Sequence, residues 1–280
     1  CGVLAITPDG LLLRLVSADD WTILFWRGVL TAVAITVVLA LVYKRHLPQH
    51  FLAIGINGLW LAVLFAAGAV CFVMAVSLTK VANVLFIVSS TPVWAAIIAK
   101  MFLSESVSVR TWLAIVITMM GLTVIAYGSI DHGPGSILGD TMALLAALST
   151  AATLTLARRS RAHSMVPAMA VAGLMYAGVA LAWSPTLIVD TDDIIWLALM
   201  GLVSVPLGFS LLTLGPRYLP APEVSLLLVL EAVLGPLLVW FILNEHPGPY
   251  AICGGAIVLT TLLILNVSSL RESRRTFTPN

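Results

Sequence analysis

The sequence predicts an all-α polytopic membrane protein, with ten transmembrane helices arranged as two inverted five-helix repeats. Three observations lead to this fold class: 60% of the 280 residues are hydrophobic, only 10% are charged, and the apolar residues form runs long enough to cross a bilayer. A chain of this composition has too few polar residues to cover the surface of a water-soluble fold. Composition therefore excludes a soluble enzyme, a disulfide-stapled domain, a disordered chain and, with a net charge of +1, a nucleic-acid-binding protein.

Each predicted span is a run of about 20 mostly apolar residues, the length that a helix needs to cross the hydrocarbon core. Runs this long and this apolar are helices rather than barrel strands. A further run at 1–16 is short, and because the chain begins with Cys1 we expect one or two turns of that helix to precede it. The nine complete runs lie at 22–42, 51–76, 81–103, 109–128, 138–157, 165–188, 194–214, 220–243 and 250–268.

The basic residues predict the orientation, because the cytoplasmic loops of membrane proteins carry an excess of Lys and Arg. With the N-terminus inside, eleven of the fourteen basic residues fall at cytoplasmic ends. Acidic residues such as Asp190, Asp192 and Asp193 collect at the opposite ends. We therefore expect a multi-pass protein of the inner (cell) membrane with both termini in the cytoplasm. The eleven basic residues are Lys44, Arg45, Lys100, Arg110, Arg158, Arg159, Arg161, Arg217, Arg271, Arg274 and Arg275.

A shift of the sequence by 140 residues against itself predicts an internal repeat. The third to fifth spans then lie over the eighth to tenth without a gap, and a glutamate, Glu105 or Glu245, follows a span in each half. Because each half has an odd number of helices, the halves cross the membrane in opposite senses, as in secondary transporters that bind substrate near the midplane. The predicted boundaries are 1–128 for the first repeat, 129–137 for the outer connecting loop, 138–270 for the second repeat and 271–280 for a basic cytoplasmic tail.

The two copies of the fourth helix resemble a motif of the drug/metabolite transporter superfamily, in its ten-helix EamA-type form. The motif is a proline-containing stretch followed by a leucine, a small residue and a glutamate. It reads SSTPVWAAIIAKMFLSE at 89–105 and VLEAVLGPLLVWFILNE at 229–245, and FWRG at 25–28 resembles the family's arginine early in the second helix. The second copy departs from the family's usual Glu-Pro pair, because Ala232 follows Glu231 and the proline is displaced to Pro236.

This resemblance covers nearly the whole chain and implies a secondary transporter that works by alternating access. Members of the superfamily move amino acids, drugs, sugar phosphates or nucleotide sugars, and bacterial ten-helix members are mostly exporters of amino acids and related metabolites. The implied function is export of neutral or aromatic amino acids across the inner membrane, as in the YddG-like subgroup. The alternatives are export of drugs or other metabolites or, in a different class, a pore or an intramembrane enzyme.

The sequence contains no catalytic motif that would favour the enzyme alternative. All five histidines fall in loops, so an HExxH zinc site inside the membrane is not expected, and the chain has neither a GxSxG motif nor a P-loop. We therefore expect no metal, no cofactor and no nucleic-acid partner. The expected partners are a small-molecule substrate and the lipid bilayer.

Two acidic residues inside spans are the first candidates for a functional site, because ionisable groups in a membrane are expensive. Glu231 lies halfway along its span. It is either a substrate-facing or proton-coupling acid, or a structural residue that locks a helix kink. Asp9 is the second candidate for proton coupling, because the TPDG sequence at 7–10 breaks the first span around it. The alternative for Asp9 is a position at the outer mouth.

Prolines and one arginine complete the predicted framework of the site. We expect helix kinks at Pro8, Pro92 and Pro236. The carbonyl that Pro92 frees is expected to be satisfied by the hydroxyl of residue 89 or 90. We expect a structural role for Arg27, as a partner of residues 19 or 20 or with its guanidinium extended toward the outer surface.

The remaining candidates for substrate binding are polar or large apolar side chains on the third, fourth, sixth and eighth spans. Thr91 is of special interest because the repeat relates it to Glu231 at mid-membrane. Each of these side chains has helix packing or lipid contact as its alternative role. The candidates are Trp60, Phe65, Met74, Asn83, Thr91, Trp94, Thr153, Phe209 and Ser210.

The predicted orientation can be tested by cysteine labelling in a variant whose native cysteines have been replaced. Because Asp192 is expected outside and Arg159 inside, a membrane-impermeant maleimide should label Asp192→Cys in intact cells. Arg159→Cys should react only after the membrane is permeabilised. The opposite pattern would contradict both the orientation and the inverted arrangement of the halves.

Overall fold

The computed structural model describes residues 2–79, 81–128, 136–184, 186–243 and 249–276. The predictions made for Glu245 and the loop at 129–135 lie outside the described residues, as do those for the side chains of Asn83 and Pro236. Every regular element in the described part is a helix, and no strand occurs there. The predicted all-α fold is confirmed.

Eight α-helices form the first half of the chain. Two pairs of consecutive helices, α1–α2 and α6–α7, each occupy the length of one predicted span, and a 3₁₀ turn leads into the short helix α4. The helices are α1 (Gly2–Ile6), α2 (Asp9–Leu15), α3 (Asp20–Tyr43), α4 (Leu47–Ala53), α5 (Gly55–Leu78), α6 (Val81–Val88), α7 (Thr91–Leu103) and α8 (Val109–Gly128).

Six α-helices form the second half. A π-helical turn at Met200–Ser204 joins α11 to α12, and Pro206 lies in the first turn of α12. The hydropathy of residues 194–214 predicts one uninterrupted span here and does not indicate this irregular turn. The helices are α9 (Ile137–Arg159), α10 (Val166–Trp183), α11 (Thr191–Leu199), α12 (Val205–Leu214), α13 (Ala221–Leu243) and α14 (Pro249–Thr276).

The lengths and compositions of these helices fit a bilayer. Within the described part of the chain, six helical stretches are long and apolar enough to cross a membrane, and two shorter apolar helices lie at Val109–Ile125 and Ile252–Leu265. The chain is therefore a polytopic membrane protein, as predicted. The six longer stretches are Asp20–Ala53, Gly55–Leu78, Val84–Leu103, Ile137–Arg159, Val166–Trp183 and Thr191–Arg217.

Three helix pairs join the two halves at equivalent places. α3 packs on α10, α7 on α13 and α8 on α14, so the second, fourth and fifth helical segments of one half each contact their counterparts in the other. Reciprocal contacts of this kind are what a two-fold relation between the halves produces. α8 and α14 share a cluster of buried apolar residues that includes Leu122 and Leu262, which the 140-residue shift also pairs.

Glycines allow two of these helix pairs to approach closely. A Cβ atom built on Gly173 would lie 2.8 Å from the carbonyl oxygen of Gly28, and a Cβ on Gly28 would meet the carbonyl of Gly173 in turn. Gly121 of α8 and Gly254 of α14 face each other in the same reciprocal way. Small residues are the usual means of bringing helix backbones together in a membrane, where apolar side chains alone gain little by leaving lipid.

The contact at Gly173 predicts a sharp difference between two substitutions on the same helix. Gly173→Ala should destabilise the protein by about 1–3 kcal/mol, because the new methyl group must displace backbone of α3. Gly178→Ala is the matched control: nothing lies within 4 Å of its Cβ position, so stability should be unchanged or slightly higher. Thermal unfolding of both variants in detergent micelles measures the difference. Equal melting temperatures would contradict the close contact of α3 and α10.

Candidate functional site

A cavity of about 130 Å³ lies among helices from both halves of the chain. By volume it has room for several water molecules or for the polar part of a small metabolite. Its walls come from α1, α2, α3, α5, α6, α7, α9, α10, α12 and α13, whereas α8 and α14 contribute none of the described wall. The cavity is lined by Ile6, Asp9, Arg27, Phe65, Gly68, Ala69, Phe72, Leu85, Val88, Ser89, Thr91, Ala146, Thr150, Tyr176, Val205, Phe209, Ser225, Leu228, Val229, Glu231 and Ala232.

An ion pair between Asp9 and Arg27 forms one corner of this cavity. The Arg27 Nη2 atom donates to Asp9 Oδ2 at 2.8 Å, and the two side chains are only 9% and 7% exposed. Asp9 reaches this position because the first helical segment is interrupted at residues 7–8, so that Asp9 begins α2 inside the bundle. A buried charge of this kind persists only when a partner offsets the loss of water.

This pair corrects the prediction made for Arg27. Asp19, one of its two expected partners, instead caps α3, accepting hydrogen bonds from the backbone N–H groups of Trp21 at 3.1 Å and Thr22 at 3.4 Å. Arg27 lies two turns further along α3, faces the interior, and is buried rather than extended toward the surface. The physical reason is the break in the first segment, which offers a carboxylate at the depth of Arg27.

Glu231 brings a second carboxylate to the same cavity. It lies on α13, is half-buried, and is close enough to Asp9 and Arg27 for its charge to interact with both. No hydrogen bond to its carboxylate is found among the described residues. When all three groups are ionised they carry two negative charges and one positive charge, which is an excess of one negative charge.

Aromatic and aliphatic side chains form the rest of the wall. Phe65 of α5 and Phe209 of α12 meet edge to face, with ring centroids 4.6 Å apart and an interplanar angle of 77°. These two helices are the third segment of the first half and the third of the second, so the aromatic pair joins equivalent elements. An apolar wall beside a charged corner suits a solute with one polar and one apolar end.

At the helix breaks around the cavity, side-chain hydroxyl groups donate hydrogen bonds to the free backbone carbonyls. Pro92 cannot donate to the Val88 carbonyl, and the Thr91 hydroxyl donates to that oxygen instead, at 2.6 Å. This corrects the expectation that residue 89 or 90 would do so. The Ser204 hydroxyl likewise donates to the Ala5 carbonyl at 2.8 Å, across to the first half. These carbonyls therefore already accept a hydrogen bond from the protein before any solute arrives.

The sequence-predicted residues divide between the cavity and other positions. Phe65, Thr91, Phe209, Glu231 and Asp9 line the cavity. Five others do not. Trp60 is 58% exposed on the outer face of α5, Met74 packs in an apolar cluster with Leu24 and Tyr176, and Ser210 lies one residue past the wall. The hydroxyl of Thr153 donates to the Ser149 carbonyl at 2.8 Å, and Trp94 Nε1 donates to Ser90 Oγ at 3.0 Å.

Two functional candidates were missed by sequence reasoning. Tyr176 lies in an apolar run with no charge or repeat to distinguish it, yet its side chain is 1% exposed and lines the cavity. For Arg27 a structural role was predicted rather than a role in the site, although an arginine inside a span itself indicates a functional site. For Tyr176 the sequence gives a weaker indication of a role in the site, namely a single hydroxyl among aliphatic residues.

A second charged cluster lies at the end of the bundle that is predicted to be cytoplasmic. Arg158 at the end of α9 bonds Glu105 through Nε at 3.0 Å, and its Nη1 donates to the Pro216 carbonyl at 3.0 Å. One arginine thus ties the α7–α8 loop of the first half to two connections of the second. This ion pair is more exposed than the Asp9–Arg27 pair, with 33% of the Glu105 side chain accessible.

Comparisons with known proteins give a match to one family and a match to a solved structure. The sequence profile of the EamA-like transporter family matches residues 10–127 and again 137–267. A search of curated proteins finds no match. A solved structure described only as "Crystal structure of protein" is similar over 99% of this chain and 96% of its own, with a TM-score of 0.78 and 14% identity, which indicates a shared fold and nothing further. None of these matches distinguishes the YddG-like subgroup or identifies a substrate.

The Asp9–Arg27 pair predicts non-additive stability effects. Arg27→Gln should lower the free energy of unfolding by about 3–5 kcal/mol, because it leaves the Asp9 carboxylate buried without a partner. Adding Asp9→Asn should recover much of that loss, since both charges are then gone. Glu105→Gln is the control at the more exposed pair and should cost about 1 kcal/mol or less. Unfolding in mixed detergent micelles measures the stability of the wild type and the three variants. A double variant no more stable than Arg27→Gln would contradict the pairing.

Proposed function

This chain belongs to the EamA-like transporter family, and we propose that it exports neutral or aromatic amino acids, or closely related small metabolites, by alternating access. The observation that carries this proposal is the cavity lined from both halves, which holds Asp9, Arg27 and Glu231. Ionisable side chains inside a membrane protein usually mark the path of a polar solute or an ion. An amino acid needs such groups, because its own charges lose their water on entering the bundle.

The composition of the wall supports an amino acid rather than a phosphorylated solute. Phe65 and Phe209 offer aromatic surface to an apolar side chain. A phosphate would need unpaired Lys or Arg side chains at this depth. Arg27 is the basic residue on the described wall, and Asp9 already offsets its charge. Sugar phosphates and nucleotide sugars are therefore poorer candidates than amino acids.

Alternating access is the mechanism that an inverted pair of halves supports. In this proposal the halves rock about the contacts of α3 with α10 and of α8 with α14, so that the cavity opens to each side in turn. The Arg158–Glu105 pair would have to separate when the cavity opens at that end of the bundle. We propose that this end is cytoplasmic, that both termini lie there, and that solute leaves the cell across the inner membrane.

A transport panel tests the proposed substrate class. Purified protein in liposomes should move large neutral amino acids, and Phe65→Ala should raise the KM for phenylalanine about tenfold, because an aromatic contact on the cavity wall is lost. Trp60→Ala removes an aromatic residue from the exposed face of the same helix and is the matched control, with an unchanged KM. Transport of sugar phosphates but not of amino acids would overturn the proposal, and so would equal effects of the two variants.

Proton coupling at Glu231 is a second candidate feature, favoured by the excess negative charge of the cavity. The ionisable groups that face Glu231 from neighbouring helices are Asp9 of α2, Arg27 of α3 and Tyr176 of α10. If Glu231 takes up and releases a proton during the cycle, an outward or inward pH gradient would drive solute movement. A solute that binds without a coupled proton would instead respond only to its own gradient and to voltage.

Substitution of Glu231 separates these two cases. Glu231→Gln should abolish the response of transport to an imposed pH gradient at fixed membrane voltage, because glutamine cannot exchange a proton. Glu223→Gln, at the other end of α13, is the control and should keep the wild-type response. Uptake of labelled amino acid into proteoliposomes measures this response. A Glu231→Gln protein that is still driven by the pH gradient would remove Glu231 from the coupling mechanism.

A further inference from the structure

Two buried polar atoms in the cavity corner have no hydrogen-bond partner among the described residues. They are Asp9 Oδ1 and the hydroxyl oxygen of Tyr176. Both residues line the cavity, and they are only 5% and 1% exposed. Buried polar atoms are nearly always satisfied, by protein or by another molecule, and an unsatisfied one is expensive. Two such atoms on one cavity wall therefore point to a ligand that completes them.

Two of the neighbouring hydrogen-bond donors are directed at other acceptors. Arg27 Nη2 bonds the other oxygen of Asp9, and the Thr31 hydroxyl donates to the Gly201 carbonyl at 3.2 Å. The Tyr176 ring is held in place because it packs against α3 at Gly28, where a Cβ atom would lie 2.7 Å from Tyr176 Cε2. The glycine next to Arg27 thus brings the tyrosine close to the ion pair.

Glu231 adds a third acceptor to this corner. Its carboxylate faces the same cavity and has no hydrogen bond from the described residues. With Arg27 offset by Asp9, the ionised form of Glu231 gives the site its excess negative charge. An ammonium group has three N–H donors and one positive charge. Its three donors equal the three acceptors in number, and its positive charge is opposite to the excess negative charge of the site.

We propose that Asp9, Tyr176 and Glu231 form the subsite for the ammonium group of the transported solute. This inference rests on the proposed transport function and narrows its substrate class, because it assigns recognition to the amine rather than to the carboxylate. The apolar remainder of the solute lies toward Phe65 and Phe209. The site therefore accepts aromatic amines as well as aromatic amino acids, and it excludes the corresponding acids that lack nitrogen.

Three solutes with the same aromatic ring test this subsite on the wild-type protein in liposomes. They are phenylalanine, phenylethylamine, which lacks the carboxylate, and 3-phenylpropionate, which lacks the ammonium group. Phenylalanine and phenylethylamine should both be transported and should compete with each other, whereas 3-phenylpropionate should do neither. Equal transport of 3-phenylpropionate, or failure of phenylethylamine to compete, would overturn the subsite while leaving the transport function intact. If none of the three is bound or moved, the proposed transport of aromatic solutes fails, and the subsite fails with it.

Tyr176→Phe gives an independent test that separates binding from structure. Loss of one hydrogen bond to a charged group should raise the KM for phenylalanine and phenylethylamine by about tenfold. Because the hydroxyl oxygen has no hydrogen-bond partner among the described residues, the melting temperature without solute should stay the same or rise. Tyr127→Phe, on the 65%-exposed tyrosine that contacts Tyr250, is the matched control with unchanged KM. A lower melting temperature with an unchanged KM would show a structural hydroxyl and overturn the assignment.

Discussion

A charge buried in a membrane protein must be offset where it lies, and the Arg27–Asp9 pair is the point at which this constraint shapes the present structure. Arg27 projects from α3 into the bundle, so a carboxylate has to reach the same depth. The interruption at Thr7–Pro8 supplies it, because Asp9 can then begin a new helix inside the protein. Once this pair is formed, Glu231 is the carboxylate left in excess on the cavity wall. The charge balance of the site thus depends on the helix break that pairs Asp9 with Arg27 and on Glu231 of α13.

The same requirement explains how irregular helices are tolerated around the cavity. Breaks at residues 7–8 and 89–90 and the π-helical turn at Met200–Ser204 all expose backbone carbonyls that lipid could not satisfy. Hydroxyl groups satisfy them, Thr91 within its own segment and Ser204 across to α1 of the other half. Close glycine contacts of α8 with α14 and of α3 with α10 hold the halves together away from these breaks. Closely packed helices from the two halves therefore surround the irregular helices that line the cavity.

Hydropathy was enough to predict where the helices lie, because a bilayer imposes a length and a composition on every span. It was also enough to single out Glu231 and Asp9, since an acid inside an apolar run is conspicuous. It could not tell Phe65, on the cavity wall, from Trp60, on the outer face of the same helix, because lipid and protein interior are equally apolar. The Asp9–Arg27 contact depends on the angle at a helix break, which no spacing rule encodes. Tyr176 was singled out by a hydroxyl oxygen without a hydrogen-bond partner in the described part of the chain, which only the packed structure reveals.

In the proposed mechanism, one cavity between two inverted halves serves as the single site of a carrier. Counterflow in proteoliposomes tests it most directly. The liposomes are preloaded with unlabelled phenylalanine, and the initial uptake of a trace of labelled phenylalanine is compared with uptake into empty liposomes. A carrier whose one site faces each side in turn should show clear acceleration of uptake by the preloaded solute. An uptake rate that is the same with and without preloading would contradict a carrier and would indicate a pore.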